Sequence, residues 1–419
     1  MKNNTFAALS ERPFLFLWIG EIFTQIPTHL FNFFLILLVY KITHSNTAVS
    51  GVVLSFTVPA IFFGSIAGVY VDKWDKKKVL VLTNILRAVL MIFLIFFINN
   101  LFMIYIVSLL VTVLVQFFIP AETPMVPLLV TPKNLLSANA LFSMAIFASI
   151  LVAYVMSGPV LIFLNPVGTL IFLSVMLLVG ALFINNIPTV SKVSDSISQK
   201  TNFLKDIKNT LTLMSKTKEI SRSLFLLASS QVLILIIAAI APGYAQQILK
   251  INIEDFPLLF ASPAALGMVV GAVLLINRFH SHGKGKLITA GIFLSGFGVL
   301  ILPYGSRVAS RGFVHVINNY LPHILKINII HIMVFLAFIL GIANSFIFVS
   351  ANTILQENTT EEIRGKVYGF LNSIIGVLSL LPLIVAGSLS DLIGVGAVIT
   401  GIGISLLVLG IVWAFIIND

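Results

Sequence analysis

The sequence predicts an all-α integral membrane fold, with twelve transmembrane helices in two six-helix bundles. Three observations carry this. The 419-residue chain is 58% hydrophobic and only 10% charged, against about 25% charged in soluble domains, so its surface calls for lipid rather than water. Its apolar residues fall in long runs, each near the roughly 20 residues that a helix needs to cross the hydrocarbon. One long polar stretch, 188–222, separates the sixth run from the seventh.

The runs are 13–40, 47–71, 79–98, 101–121, 137–164, 168–187, 223–248, 257–279, 286–304, 327–352, 367–388 and 394–417. They are too long and too uniformly apolar for the short, alternating strands of a membrane β-barrel. The first outlasts the roughly 7–15-residue core of a signal peptide and reads as a retained helix. The third and fourth are parted only by Asn99-Asn100, and the ninth ends in Pro303-Tyr304-Gly305. In the break between runs six and seven, Phe203, Ile207, Leu211 and Met214 lie on one helical face. That pattern predicts a surface helix within a tether. The domains expected are a bundle over 1–188, a cytoplasmic linker with the amphipathic helix over 189–222, and a second bundle over 223–419.

Lysine and arginine set the orientation. With the N-terminus inside, the outer side holds only Lys41, Lys250, Arg307, Arg311 and Lys326 of the 25, and the cytoplasmic side the other 20. The net charge of +10 is then an orientation charge facing an anionic leaflet. Nucleic-acid binding is not expected, because no soluble domain exists to carry it. The chain is read as multi-pass in the plasma membrane with both termini cytoplasmic, partnered by the lipid bilayer and otherwise monomeric. No cysteine is present, which excludes disulfides, thiolate metal sites and cysteine nucleophiles.

The turn between spans 2 and 3, Gly68 to Leu80, gathers Asp72, Lys73, Asp75, Lys76, Lys77 and Lys78. Positive-inside anchoring accounts for the lysines but not for Asp72, an anion at the negative end of a helix dipole. Gly68 lies one turn earlier and is suited to close helix approach. The run Gly68-Val-Tyr-Val-Asp72-Lys73-Trp74-Asp75-Lys76-Lys77 resembles the loop 2–3 signature of the major facilitator superfamily. Asp75, in place of the usual glycine, is similar to the branch that holds macrolide-efflux and enterobactin-exporter proteins. Leu17-Trp18-Ile19-Gly20, Asn84-x-x-Arg87-Ala88, Pro120-Ala121 through Pro127, Ser137-Ala138-Asn139-Ala140 and Arg364-Gly365-Lys366-Val367 resemble it further.

This resemblance implies the major facilitator fold and a conformational latch. Asp72, with Gly68, Lys73 and Lys76 around it, would meet the start of span 11 at Arg364, Gly365 and Lys366 when the cytoplasmic side is closed. The resemblance also has gaps. Span 4 holds no arginine, and the span 5 antiporter motif is reduced to Ser157-Gly158-Pro159. Gly158 and Pro159 are expected to kink span 5, either as a functional motif or as an ordinary membrane kink.

Ionisable groups at membrane depth are costly and point to function. On span 1, Glu21, Gln25, Thr28, His29 and Asn32 fall within an arc of about 100°, a polar stripe roughly 16 Å long, and should line a cavity. Glu21 is read as the only acid well inside a span. It is either a proton-loading carboxylate or a structural partner for Arg87. His29 is either a proton relay or, the favoured reading, a neutral hydrogen-bonded histidine. Span 4 adds Ser108, Thr112 and Gln116, span 7 adds Tyr244, and span 10 adds Ser345 and Asn352.

Such a cavity lacks the paired cations that hold phosphates or dicarboxylates. It suits lipophilic, neutral or cationic cargo. The expectation is a secondary active transporter using alternating access, exporting a lipophilic small molecule with a proton gradient as its energy source and no cofactor or metal. A lipid or lysolipid flippase of the same fold is the alternative. A membrane-embedded enzyme is disfavoured, since the spans show no HExxH, no Gly-x-Ser-x-Gly and no paired carboxylates.

Overall fold

The structure, a computed structural model, describes residues 7–71, 73–188, 217–279, 282–306, 328–359 and 361–418. The predicted linker helix and the outer 305–326 segment fall almost wholly outside them. Among the described residues every regular element is helical. Besides several short helical turns, the long helices in chain order are α1 (Arg12–Thr43), α2 (Asn46–Val71), α3 (Lys76–Ile95), α4 (Leu101–Glu122), α5 (Leu135–Asn185), α6 (Lys218–Gly243), α7 (Ser262–Asn277), α8 (Lys284–Ile301), α9 (Ile329–Glu357), α10 (Glu361–Ile393) and α11 (Val395–Asn418).

α5 runs for 51 residues, about 77 Å as a straight helix and more than twice the hydrocarbon thickness. It is two arms, parted at Asn165, whose backbone is non-helical at φ 53°, ψ 175°. Asparagine tolerates that left-handed φ. Its side chain then accepts from the Gly168 amide at 3.1 Å, and Pro166 follows at the first helical position, where its missing N–H costs nothing. One residue therefore ends one arm and caps the next, and counting the arms separately gives twelve spans. The break at Asn165 falls between the predicted runs 137–164 and 168–187, while Gly158 and Pro159 keep helical angles within the first arm.

Short polar side chains set other boundaries as well. Asn100 accepts from the Met103 amide at 3.2 Å and starts α4. Asp75 accepts from the Lys78 amide at 3.2 Å and starts α3, so the residue that departs from the loop signature acts as a helix cap. Asn328 and His331 exchange hydrogen bonds with each other's backbone in a capping box at the start of α9.

Contacts divide the chain into two compact units, Met1–Ile42 with Gly51–Asn202, and Thr43–Ser50 with Phe203–Asp419. In the first unit, Phe14, Leu17, Leu80, Phe118, Met125 and Ile184 share one apolar cluster. α1 approaches the second arm of α5 closely, because Gly20 and Gly180 face each other. Glu11 ties the start of α1 to the start of α5. It accepts from Asn134 Nδ2 at 2.7 Å and from the Thr131 amide and hydroxyl at 3.0 Å. Partial burial pushes this carboxyl up, but those hydrogen bonds and Lys133 outweigh it and hold it below the usual carboxylate range.

In the second unit, α7 and α9 pack through small residues. A Cβ on Gly267 would overlap the Phe338 carbonyl, one on Gly341 would overlap the Ala264 carbonyl, and one on Gly271 would come within 2.7 Å of Ser345 Cβ. The Thr43–Ser50 segment joins this unit through Asp391. That carboxylate accepts from Ser45 Oγ (2.6 Å), the Asn46 amide (2.8 Å), Asn46 Nδ2 (2.9 Å), the Thr47 amide (3.0 Å) and Thr47 Oγ1 (2.7 Å). It caps the first turn of α2 from α10. Outward faces carry Leu82, Phe96, Phe163, Leu182, Leu381, Leu392 and Phe415, all well exposed, which is the apolar exterior a bilayer requires.

Candidate functional site

The strongest polar constellation lies inside the first unit. α1 supplies Glu21, Thr24, Gln25 and Thr28, spaced so that all fall near one face. α3 supplies Asn84 and Arg87, one turn apart, and the end of α4 supplies Phe118 and Glu122. Glu21 and Arg87 are each 1% exposed and Glu122 3%, so three ionisable groups sit in a helical interior where each must find compensation.

Hydrogen bonds form two sets, one at Glu21 and one around Arg87. Gln25 Nε2 donates to Glu21 Oε1 at 2.7 Å. Asn84 Nδ2 donates to Thr24 Oγ1 at 2.8 Å, and Thr24 passes its own proton to the Gly20 carbonyl at 2.8 Å. Arg87 donates to Thr28 Oγ1 at 2.9 Å, to the Thr83 carbonyl at 3.3 Å and to Asn84 Oδ1, while its guanidinium lies 4.9 Å over the Phe118 ring. Both carboxyls act on Arg87 through space without direct ion-pair contact. Glu21 and Glu122 are within hydrogen-bonding reach of one another.

This corrects the sequence reading in three respects. Glu21 is not the only acid at depth, and the spans do contain a pair of carboxylates. Glu122 sits at the very end of α4, just past the apolar run, and turns inward beside Glu21. The stripe on α1 does not line a cavity as one surface, because Glu21, Thr24 and Thr28 face α3 and α4. Gln25, His29 and Asn32 are half-buried along the same helix.

The candidates on other helices are engaged locally. Ser108 pairs with Ser55 at 2.6 Å across α2 and α4, and Thr112 donates back to the Ser108 carbonyl at 2.9 Å. Gln116 is half-buried near Gly64. Tyr244 is buried in an apolar cluster, where its hydroxyl donates to the Leu302 carbonyl at 2.9 Å and its ring meets Phe256 and Phe260 edge-on. It is a core residue rather than a cavity ligand. Ser345 is buried against Gly271 on α7. Asn352 accepts from the Tyr368 hydroxyl, which in turn accepts from Gln356 at 3.2 Å. Sequence reasoning passed over Asn344, the neighbour of Ser345, which accepts from Ser230 at 2.5 Å and joins α6 to α9.

The sequence matches the model of the Major Facilitator Superfamily over residues 17–318. The chain belongs to this superfamily of membrane transporters.

It is 24% identical over 394 residues to macrolide efflux protein A of Streptococcus pyogenes, covering 91% of this chain and 90% of that protein. It is 22% identical over 388 residues to the uncharacterised MFS-type transporter YfiS of Bacillus subtilis (strain 168), covering 90% and 86%. Among solved structures, a mutant form of the nucleoside transporter NupG aligns with a TM-score of 0.78 at 13% identity over 96% of this chain and 99% of that one. A bacterial homologue of the human lysosomal transporter Spinster aligns at 0.70 and 12%, over 97% and 96%. The two solved structures show that this chain shares their fold.

Of the superfamily's loop 2–3 signature, Gly68 is half-buried and a Cβ there would meet nothing within 4 Å. Lys73 is exposed and Lys76 opens α3. Asp72, and the side chains of Arg364 and Lys366 near the start of α10, lie outside the described residues. Gly158 and Pro159 lie within the first arm of α5, and Ser157 there donates to the Tyr154 carbonyl at 2.9 Å.

Proposed function

We propose that this transporter exports a lipophilic small molecule across the plasma membrane by alternating access, in exchange for protons, with both termini on the cytoplasmic side. One observation carries the coupling: an acidic side chain, Glu21, sealed in the interior of a membrane helix unit beside a buried arginine. A carboxylate held there is costly, and reversible protonation gives that cost a use. The macrolide-efflux relative supports export, and the lack of paired cations supports a lipophilic cargo. The lysine and arginine distribution supports the orientation. Asp72 is the proposed latch against the start of α10, whose positive helix terminus suits it.

The test is uptake of a macrolide or lipophilic dye into inside-out vesicles under an imposed pH gradient, comparing wild type with Glu21→Gln. Gradient-driven uptake in wild type, collapsed by a protonophore and lost in the variant, is the expected result. Wild-type uptake indifferent to the gradient overturns proton coupling.

A further inference from the structure

We propose that Glu21 and Glu122 together form one proton-binding site, in which the two carboxyl groups share a single proton against the fixed charge of Arg87. The inference rests on the reading of Glu21 as the coupling group and adds its partner.

Two oxygens motivate it. Glu21 Oε2 and Glu122 Oε1 are both buried, and neither has a hydrogen-bond donor. An ionised carboxylate only accepts, so two ionised groups side by side leave both oxygens unsatisfied and repel each other. One proton removes both faults. Glu21 already accepts from Gln25 through Oε1, which marks it as the acceptor of the pair. Glu122 then carries the proton and donates it to Glu21 Oε2.

The charges balance in the same way. Two carboxylates and one guanidinium sum to −1, and with one proton added the cluster is neutral, which is what a lipid-embedded interior tolerates. Around the pair, α3 contributes Arg87, α4 contributes Phe118, and the second arm of α5 contributes Gly180, Phe183 and Ile184 against α1. His29 lies two turns further along α1. Of the charged groups on these elements among the described residues, Arg87 is the only one other than the pair itself that acts on it; Arg12, Lys41 and Lys76 to Lys78 lie at the helix ends. Its donors go to Thr28, Asn84 and the Thr83 carbonyl, so it offsets charge without capturing either acid. Releasing the proton leaves a net negative cluster and two facing acceptors, which drives α1 and α4 apart locally. The proton belongs to the pair rather than to one residue.

The test uses the full-length protein in lipid nanodiscs. Infrared absorption at neutral pH reads the carbonyl stretch of a protonated carboxylic acid, which exposed carboxylates do not give. Wild type is expected to show it. Glu21→Gln and Glu122→Gln are each expected to lose it, because the one acid left ionises against Arg87 and the cluster stays neutral. The double variant leaves Arg87 uncompensated and is expected to be the least heat-stable of the three. If a glutamine variant does not fold, Glu122→Asp keeps the charge and should shift the band.

A wild type without the band, or a band undiminished in Glu122→Gln and unshifted in Glu122→Asp, overturns the shared site. In the vesicle assay, Glu122→Gln should lose gradient-driven uptake as Glu21→Gln does. Full uptake there overturns the role of Glu122 in coupling. Wild-type uptake indifferent to the gradient, with the band still present, overturns the export reading and leaves the shared proton standing.

Discussion

Replacing Asp391 by alanine removes the cap from the first turn of α2. Five donors converge on this carboxylate, from the amides of Asn46 and Thr47 and the side chains of Ser45, Asn46 and Thr47. Five charge-assisted bonds at about 1.5 kcal/mol each would total several kcal/mol, but Asp391 is exposed, so water replaces most of what is lost. The remaining terms are a helix cap worth about 1 kcal/mol and a carboxylate at a helix N-terminus worth about 0.5 kcal/mol after screening. Together they give about 1.5 kcal/mol, or roughly tenfold in a local opening equilibrium. Hydrogen exchange of the 43–50 peptide in nanodiscs reads that equilibrium directly. The Asn46 and Thr47 amides should exchange about tenfold faster in Asp391→Ala, and about threefold faster in Asp391→Asn, which keeps an acceptor but loses the charge. Exchange within twofold of wild type in Asp391→Ala, or acceleration spread evenly along α2, would refute the reasoning.

Two further outcomes are expected besides those of the transport and infrared experiments. Gly341→Ala forces a methyl into the Ala264 carbonyl and should destabilise the protein by about 3 kcal/mol, since backbone cannot yield as a side chain does. Heating followed by size-exclusion detection measures it, and an unchanged midpoint would count against the packing described. Glu11 is held below the ordinary carboxylate range by donors that Glu11→Gln would weaken. A lowered folded value means stability present at neutral pH and lost as pH falls through that value. Wild type should therefore exceed Glu11→Gln in thermal midpoint at neutral pH, with the gap closing under acid. A gap independent of pH would contradict this.

Much of the fold was legible because membrane helices announce themselves by length and apolarity. Even the weakest boundary, Asn99-Asn100, had a mechanism in plain view, since Asn100 is a helix cap. The turn at Asn165-Pro166 fell between two runs for a similar reason. The site was only half legible. A helical wheel gives the angle of Glu21, Thr24 and Thr28 around α1, but not which neighbour occupies that side, so a stripe facing α3 and α4 read as cavity lining. Glu122 was missed because a charge ends an apolar run by definition. The residue that closes the run was therefore set outside the membrane, although its helix carries it inward. Arg87 was set beside Glu21 as one of two readings, but the acceptors of its hydrogen bonds, Thr28 and Asn84, follow only from how the helices are paired. Tyr244 and Ser345 looked like ligands because a polar atom on an apolar helix invites that reading. Each instead has a particular place in the packing, a backbone carbonyl for one and a glycine face for the other.

The seam between α7 and α9 has a mechanical meaning. With Gly267, Gly271 and Gly341 meshed against backbone and Cβ atoms, these two helices touch main chain to main chain at three points, where no side chain lies between them to shear. Neither can slide along the other or roll without driving main chain into main chain. They behave as a single splint, and bending during a transport cycle has to be taken up elsewhere, at joints such as the Tyr244–Leu249 π-turn that follows α6.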